Sequence, residues 1–307
     1  MEFGIYVPQV VSEYEPFLRV ARTAEDTGFS SLWVYDHLYT PGAPAHPAME
    51  AWTLMTALLA NTTRLRVGAL VLCNSFRTPA VLGRMATTLD VISGGRLEFG
   101  LGSGSYEQEH REAGLPWESG RVRAERLGEA LEIITRMFTE ERTTFEGRHY
   151  TVRDLPNVPQ PVQRPRPPIH IGGAGPKFTM PLVARYADVW NVPTYGLSEW
   201  ATLDAQLTEL CAAIGRDPGE IRRSHEAVIG LAETERDLPE VEAAVRKRYG
   251  GPGFALDQGY LGTPEMVAEQ IRAREAQGID TLIFMTNVKS AEATMQLFAE
   301  QVVPLLA

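Results

Sequence analysis

AEDTGFSSLWVYDH, residues 24–37, carries one complete step of the pattern that decides the fold. A charged helix end runs into Gly28, a short turn follows, and Leu32–Val34 open an apolar strand. Glycine at such a point ends a helix through a left-handed cap, a conformation that costs other L-residues about 1–2 kcal/mol. Near the opposite end of the chain, REAQGIDTLIFM (274–285) repeats the order: helix, glycine stop at Gly278, turn, apolar strand.

Strand-like and helix-like patterns alternate throughout the interval between them. FGIYV (3–7) precedes the amphipathic EPFLRVARTAEDTG (15–28), which leads to SLWVY (31–35). WTLMTALLANTT (52–63) leads to RLRVGALVL (64–72), and PAVLGRMATTLDVIS (79–93) to RLEFGLG (96–102). RVRAERLGEALEIITRMFT (121–139) precedes PPIHIGG (167–173), and PKFTMPLVARYA (176–187) feeds DVWNV (188–192). SEWATLDAQLTELCAAIG (198–215) precedes RRSHEAVIGL (222–231), PEMVAEQIRAREAQG (264–278) precedes DTLIFM (280–285), and a last helix spans 291–306. The strands lack strict apolar–polar alternation, as expected of parallel strands covered on both faces. Eight strand–helix units in 307 residues predict a closed (β/α)8 TIM barrel rather than an open doubly wound sheet. Residues 140–166 and 232–262 are too long for connections and are predicted insertions over the C-terminal face, within a single domain spanning 1–307.

The composition narrows the function classes. A net charge of −10 argues against nucleic acid and anionic membranes as partners, and no apolar stretch approaches the roughly 20 residues of a membrane span. Cys73 and Cys211 lie far apart with no metal spacing, so a cytoplasmic protein is the expectation. No HExxH occurs, and His110, His149, His170 and His225 are scattered, so no catalytic metal is expected. Barrel enzymes place their chemistry where the C-terminal strand ends converge. A buried strand that ends on Asp36–His37 is therefore a candidate site, and imidazole is the side chain that changes charge near neutral pH. GGAGPKFT (172–179) is a second candidate: its glycines admit a ligand close to the backbone, and free N–H groups at a helix start bind phosphate.

Taken in order, LWVYDH (32–37), GALVLCNSFRTPAVLGRMATTLDVISGGRLEFGLGSGS (68–105), RVRAERLGEALEII (121–134), FEGRHY (145–150), PPIHIGGAGPKFT (167–179) and ARYADVWN (184–191) resemble the bacterial-luciferase-like superfamily. The branch most similar uses coenzyme F420, a deazaflavin. The resemblance implies a ring in the barrel mouth over the ends of the second to fourth strands, with Asp36 and His37 beside it. It implies a non-prolyl cis peptide in a strand-three bulge near Leu70–Val71, with Cys73 just beyond. It places Ser103, Gly104 and Ser105 at the cofactor edge, and makes Gly172, Gly173, Ala174, Gly175 and Lys177 the phosphate loop. His37 would act as general acid–base, and Asp36 would orient it or bind the cofactor. Lys177, Arg164 and Arg166 are the cations available to an anionic cofactor tail. Pro8–Tyr14 and the second insertion would enclose a small-molecule substrate.

The implied activity is hydride transfer between the deazaflavin C5 and an organic substrate. The alternative on the same scaffold is a monooxygenase using reduced FMN. A flavin-binding subunit without chemistry is the third reading, against which the intact Asp36, His37 and GGAGPK stand. The apolar segment 49–60, with 79–93, predicts a homodimer face.

Overall fold

The computed structural model describes residues 1–251 and 256–307. Eight parallel strands are present: β1 Glu2–Tyr6, β2 Ser31–Val34, β3 Arg66–Ala69 with a continuation at Leu72–Cys73, β4 Leu97–Gly102, β5 Ile169–Gly172, β6 Val189–Pro193, β7 Arg222–Leu231 and β8 Thr281–Met285. Each pairs with its neighbours in order, and β1 pairs with both β2 and β8, which closes the barrel. The helices of the ring are α1 Tyr14–Asp26, α2 Ala51–Ala60, α3 Pro79–Ser93, α4 Gly120–Thr139, α5 Thr179–Tyr186, α6 Trp200–Ala213, α7 Pro264–Glu275 and α8 Val288–Leu297. The two glycine stops adopt the left-handed conformation expected of them, with φ of 82° at Gly28 and 85° at Gly278.

Burial on both faces explains why no alternation shows. Leu32 and Val34 pack outward among the helices, whereas Trp33 and Tyr35 fill the barrel interior. Trp33 needs space there, and Gly68 provides it: a Cβ at that position would lie 2.6 Å from the indole. Below the indole, the Glu98 carboxylate binds Arg66 and His170 and forms a polar floor.

The insertions differ in placement. Residues 140–166 contain an antiparallel hairpin, Arg142–Glu146 with Thr151–Pro156, that packs on the flank of α3 and α4. Only its tip reaches mouth level, where Asn74 Nδ2 donates to the Tyr150 hydroxyl (3.4 Å). The second insertion does lie over the mouth, through the helix Leu238–Tyr249; its residues 252–255 lie outside the described residues. Helix α2 is apolar because the barrel covers it: Trp52, Leu54, Met55, Leu58 and Leu59 are buried within the chain. Helix α3 leaves Val81, Val91 and Ile92 exposed.

Candidate active site

Hydrogen bonding of β2 to its neighbours ends at Val34, and Tyr35–His37 run on into the mouth. Gln9, from the loop after β1, clamps this extension: its Nε2 donates to the Tyr35 carbonyl (2.5 Å) and its Oε1 accepts from the Tyr35 N–H (3.2 Å). Asp36 is buried and fully engaged. It accepts from the Cys73 N–H (2.8 Å) and, bidentately, from Arg77 (2.7 and 3.2 Å), which also donates to Glu50 (2.6 Å). Bidentate pairing of this kind fixes geometry. Asp36 thus ties the end of β2 to β3.

The orienting role expected of Asp36 falls to Glu109, on the short helix Glu107–Glu112. His37 Nδ1 bonds Glu109 Oε1 (2.8 Å), and the Leu38 N–H donates to Oε2 (3.1 Å). A carboxylate only accepts, so the proton of that bond sits on Nδ1 and Nε2 is the free ring nitrogen. Glu109 is almost fully buried while His37 keeps part of its ring exposed. This division suits a group held from behind and open in front.

A cis peptide joins Leu70 and Val71, where strand three breaks between Ala69 and Leu72. Val71 is seated among glycines of the next two strands. A Cβ added at Gly100, Gly102 or Gly172 would lie 3.2, 2.5 or 3.3 Å from its methyl carbons. Cys73 follows, with Sγ 3.6 Å from His110 Nε2, and burial, reinforced by the Asp36 and Glu109 charges, pushes the thiol up to about 12.

Two cavities meet at this wall. One of about 510 Å³ is lined by Asp36, Leu70–Cys73, Ser103–Ser105 and Gly172–Gly175, which brings together every residue expected at the site except Lys177. Lys177 lines a hollow of about 270 Å³ that shares Ser103, Gly175 and Thr179 with the first cavity. Helix α5 starts at Thr179 rather than Pro176, because residues 176–178 form a turn. The amide N–H groups of Ala174, Gly175, Lys177 and Phe178 make no hydrogen bond among the described residues. Arg166, just before β5, is removed from the list of tail cations, since it pairs with Asp188, which precedes β6, at the opposite end of the barrel. Arg164 donates to the carbonyls of Pro161 and Gln163 and lines neither cavity.

The other cavity, about 1070 Å³, is enclosed by Pro8, Val10 and Val11 after β1 and by Arg248 and Tyr249 of the second insertion. Tyr6, Tyr35 and His37 line both cavities. Sequence reasoning missed Glu109, Arg77, Asn191 and Glu226, all of which line or brace this mouth.

The donor set suits a ring with a phosphate-bearing tail: glycine backbone on one side, unused amides and Lys177 at the end, and an imidazole at the junction with a second cavity. The sequence profile of the luciferase-like monooxygenases matches residues 1–250, and the chain belongs to that family. An F420-dependent glucose-6-phosphate dehydrogenase of Microbacterium testaceum is 37% identical over 166 residues, 54% of this chain and 48% of that protein. This chain therefore matches about half the length of that relative. An FMNH2-dependent dimethylsulfone monooxygenase of Pseudomonas putida is 24% identical across 94% of this chain and 86% of its own length. The crystal structure of the monooxygenase RslO1 from Streptomyces bottropensis superposes with a TM-score of 0.85, at 23% identity and full coverage of both chains, and shares the fold.

Proposed function

We propose that this protein is a coenzyme F420-dependent oxidoreductase that passes a hydride between the deazaflavin and a small organic molecule. The observation that carries the reading is His37, held by Glu109 on the wall common to both cavities. The smaller cavity would hold the ring, with Leu70 and Val71 beneath it and Ser103, Gly104 and Ser105 at its edge. Gly172–Gly175 and Lys177 would hold the tail phosphate through backbone N–H groups and one cation. When bound, the deazaflavin supplies a carbon that gives or accepts a hydride. Exchange of a hydride with an oxygen-bearing carbon also moves one proton, and His37 Nε2 is the atom placed to hold it. Glu109 positions that nitrogen, Asp36 fixes the strand end through Arg77 and Cys73, and the loop after β1 with the second insertion shields the substrate from water.

The relative at 37% identity supports F420; the Pseudomonas putida relative supports reduced FMN in the same cavity as the alternative. Titration of the purified protein with both separates them. F420 should bind at least about tenfold more tightly, a difference near 1.4 kcal/mol, and tighter FMN binding would reverse the assignment.

The protein is further proposed to be a cytoplasmic homodimer. Both cysteines are free and buried, which suits a reducing compartment. Trp52, Met85 and Ile92 border a shallow groove between α2 and α3, beside the exposed apolar residues of α3. A monomeric mass by light scattering would overturn the dimer.

A further inference from the structure

Glu226 lies on β7 with its side chain toward the mouth. Ala227 and Ile229 pack among the helices and Val228 in the barrel interior, so the two-residue period puts Glu226 on the interior face as well. It lines the cavity assigned to the ring, between Pro193 of β6 and Ile283 of β8 in register. Among the described residues no donor reaches its carboxyl oxygens, and no Lys or Arg lines this cavity. Burial alone pushes the carboxyl up to about 7.

Asn191, on β6, faces the same space and is nearly fully buried. The Ser224 hydroxyl donates to its Oδ1 (2.8 Å), and Nδ2, beside Gly172, has no acceptor among the described residues. In the closed strand order β6 and β7 stand across the barrel from β2 and β3. The Glu226 carboxyl and the Asn191 Nδ2, both without partners among the described residues, therefore face the Asp36–His37 and Leu70–Val71 wall from the other side. Asn191 is nearly fully buried and Glu226 half-buried, and a polar group held in such a cavity without a partner marks a place that something else can complete.

We propose that Glu226 and Asn191 form a recognition pair for the polar edge of the bound ring, a cyclic imide in which one N–H stands between two C=O groups. This rests on reading the smaller cavity as the ring site. A protonated carboxyl matches half of such an edge: its O–H donates to one C=O while its own C=O accepts the N–H. Asn191 Nδ2 donates to the remaining C=O. An ionised Glu226 presents acceptors alone and repels the carbonyl it would otherwise bind. The titratable groups facing it are Tyr6 from β1, Tyr35, Asp36 and His37 from the end of β2, Cys73 from β3, Glu109 behind His37, and Tyr195 after β6. The Arg77 guanidinium, which pairs with Asp36 of this wall, is also held by Glu50.

F420 and FMN both carry the imide edge, so the pair should act on either. The test is fluorescence titration of wild type, Glu226→Gln and Glu226→Leu with each, at about pH 6 and about pH 9. Glu226→Gln keeps one donor and one acceptor at every pH. Wild-type affinity should fall by about tenfold relative to Glu226→Gln between the two pH values. Glu226→Leu should bind each cofactor about tenfold more weakly than wild type at the lower pH. If wild type and Glu226→Gln share one pH trend and folded Glu226→Leu binds normally, the assignment is overturned while the ring site stands. A loss confined to one of two cofactors that both bind would overturn the shared edge. Failure of wild type to bind either would overturn the ring site and the pair together.

Discussion

Glu98 and Glu226 both point into the barrel interior, one at its floor and one at its mouth. Burial pushes the Glu98 carboxyl up, but His170 and Arg66 more than offset this and hold it below the usual carboxylate range. Among the described residues Glu226 has no such partners, and burial raises it. The floor carboxylate is bonded on both oxygens, whereas among the described residues a carboxyl, an amide nitrogen and an imidazole nitrogen at the mouth have no partner. A carboxylate satisfied within the chain supports the fold, and a carboxyl left open in a cavity is available to a ligand.

Removing one partner from the floor should have the largest effect on folding. Glu98→Ala leaves the buried His170 and the half-buried Arg66 without their carboxylate, and should cost about 3–5 kcal/mol in denaturant unfolding. A loss below about 1 kcal/mol would erase the distinction, since that is the scale of an exposed pair. A smaller effect of opposite sign is expected at the mouth. Glu226 is raised from 4.5 to about 7, so its contribution to stability is fully present below the lower value and is lost as pH rises through the upper one. In ligand-free protein the melting temperature of Glu226→Gln should therefore gain on wild type from about pH 5 to about pH 8. A constant gap would mean that Glu226 already has a partner in the apo protein.

The same contrast explains which parts were legible in the sequence. Gly28 and Gly278, each before an apolar strand, announced the repeating unit, and Asp36–His37 stood out because ionisable residues are rare at the end of a buried run. GGAGPKFT was legible because its glycines answer a local backbone need. Glu109 was not, because it meets His37 across 72 positions and EQEHRE reads as a solvated helix. Glu226 was hidden within RRSHEAVIGL, where burial on both faces removes the alternation that would show which residues point inward. Asp36 was read as a partner of its neighbour, although adjacent residues on an extended strand point to opposite sides. The hairpin at 142–156 was missed because its charged, proline-bounded sequence covers helices from outside and carries no continuous apolar run.

The most direct test measures His37→Asn twice on one preparation: its melting temperature, and its single-turnover reduction of bound F420 across a panel of alcohols and sugar phosphates. An open mouth residue supports little of the core, so the melting temperature should stay close to that of wild type. The rate should fall by about 10²–10⁴, the range for loss of a general acid or base. A lowered melting temperature with an unchanged rate per folded molecule would make His37 a structural residue and contradict the account.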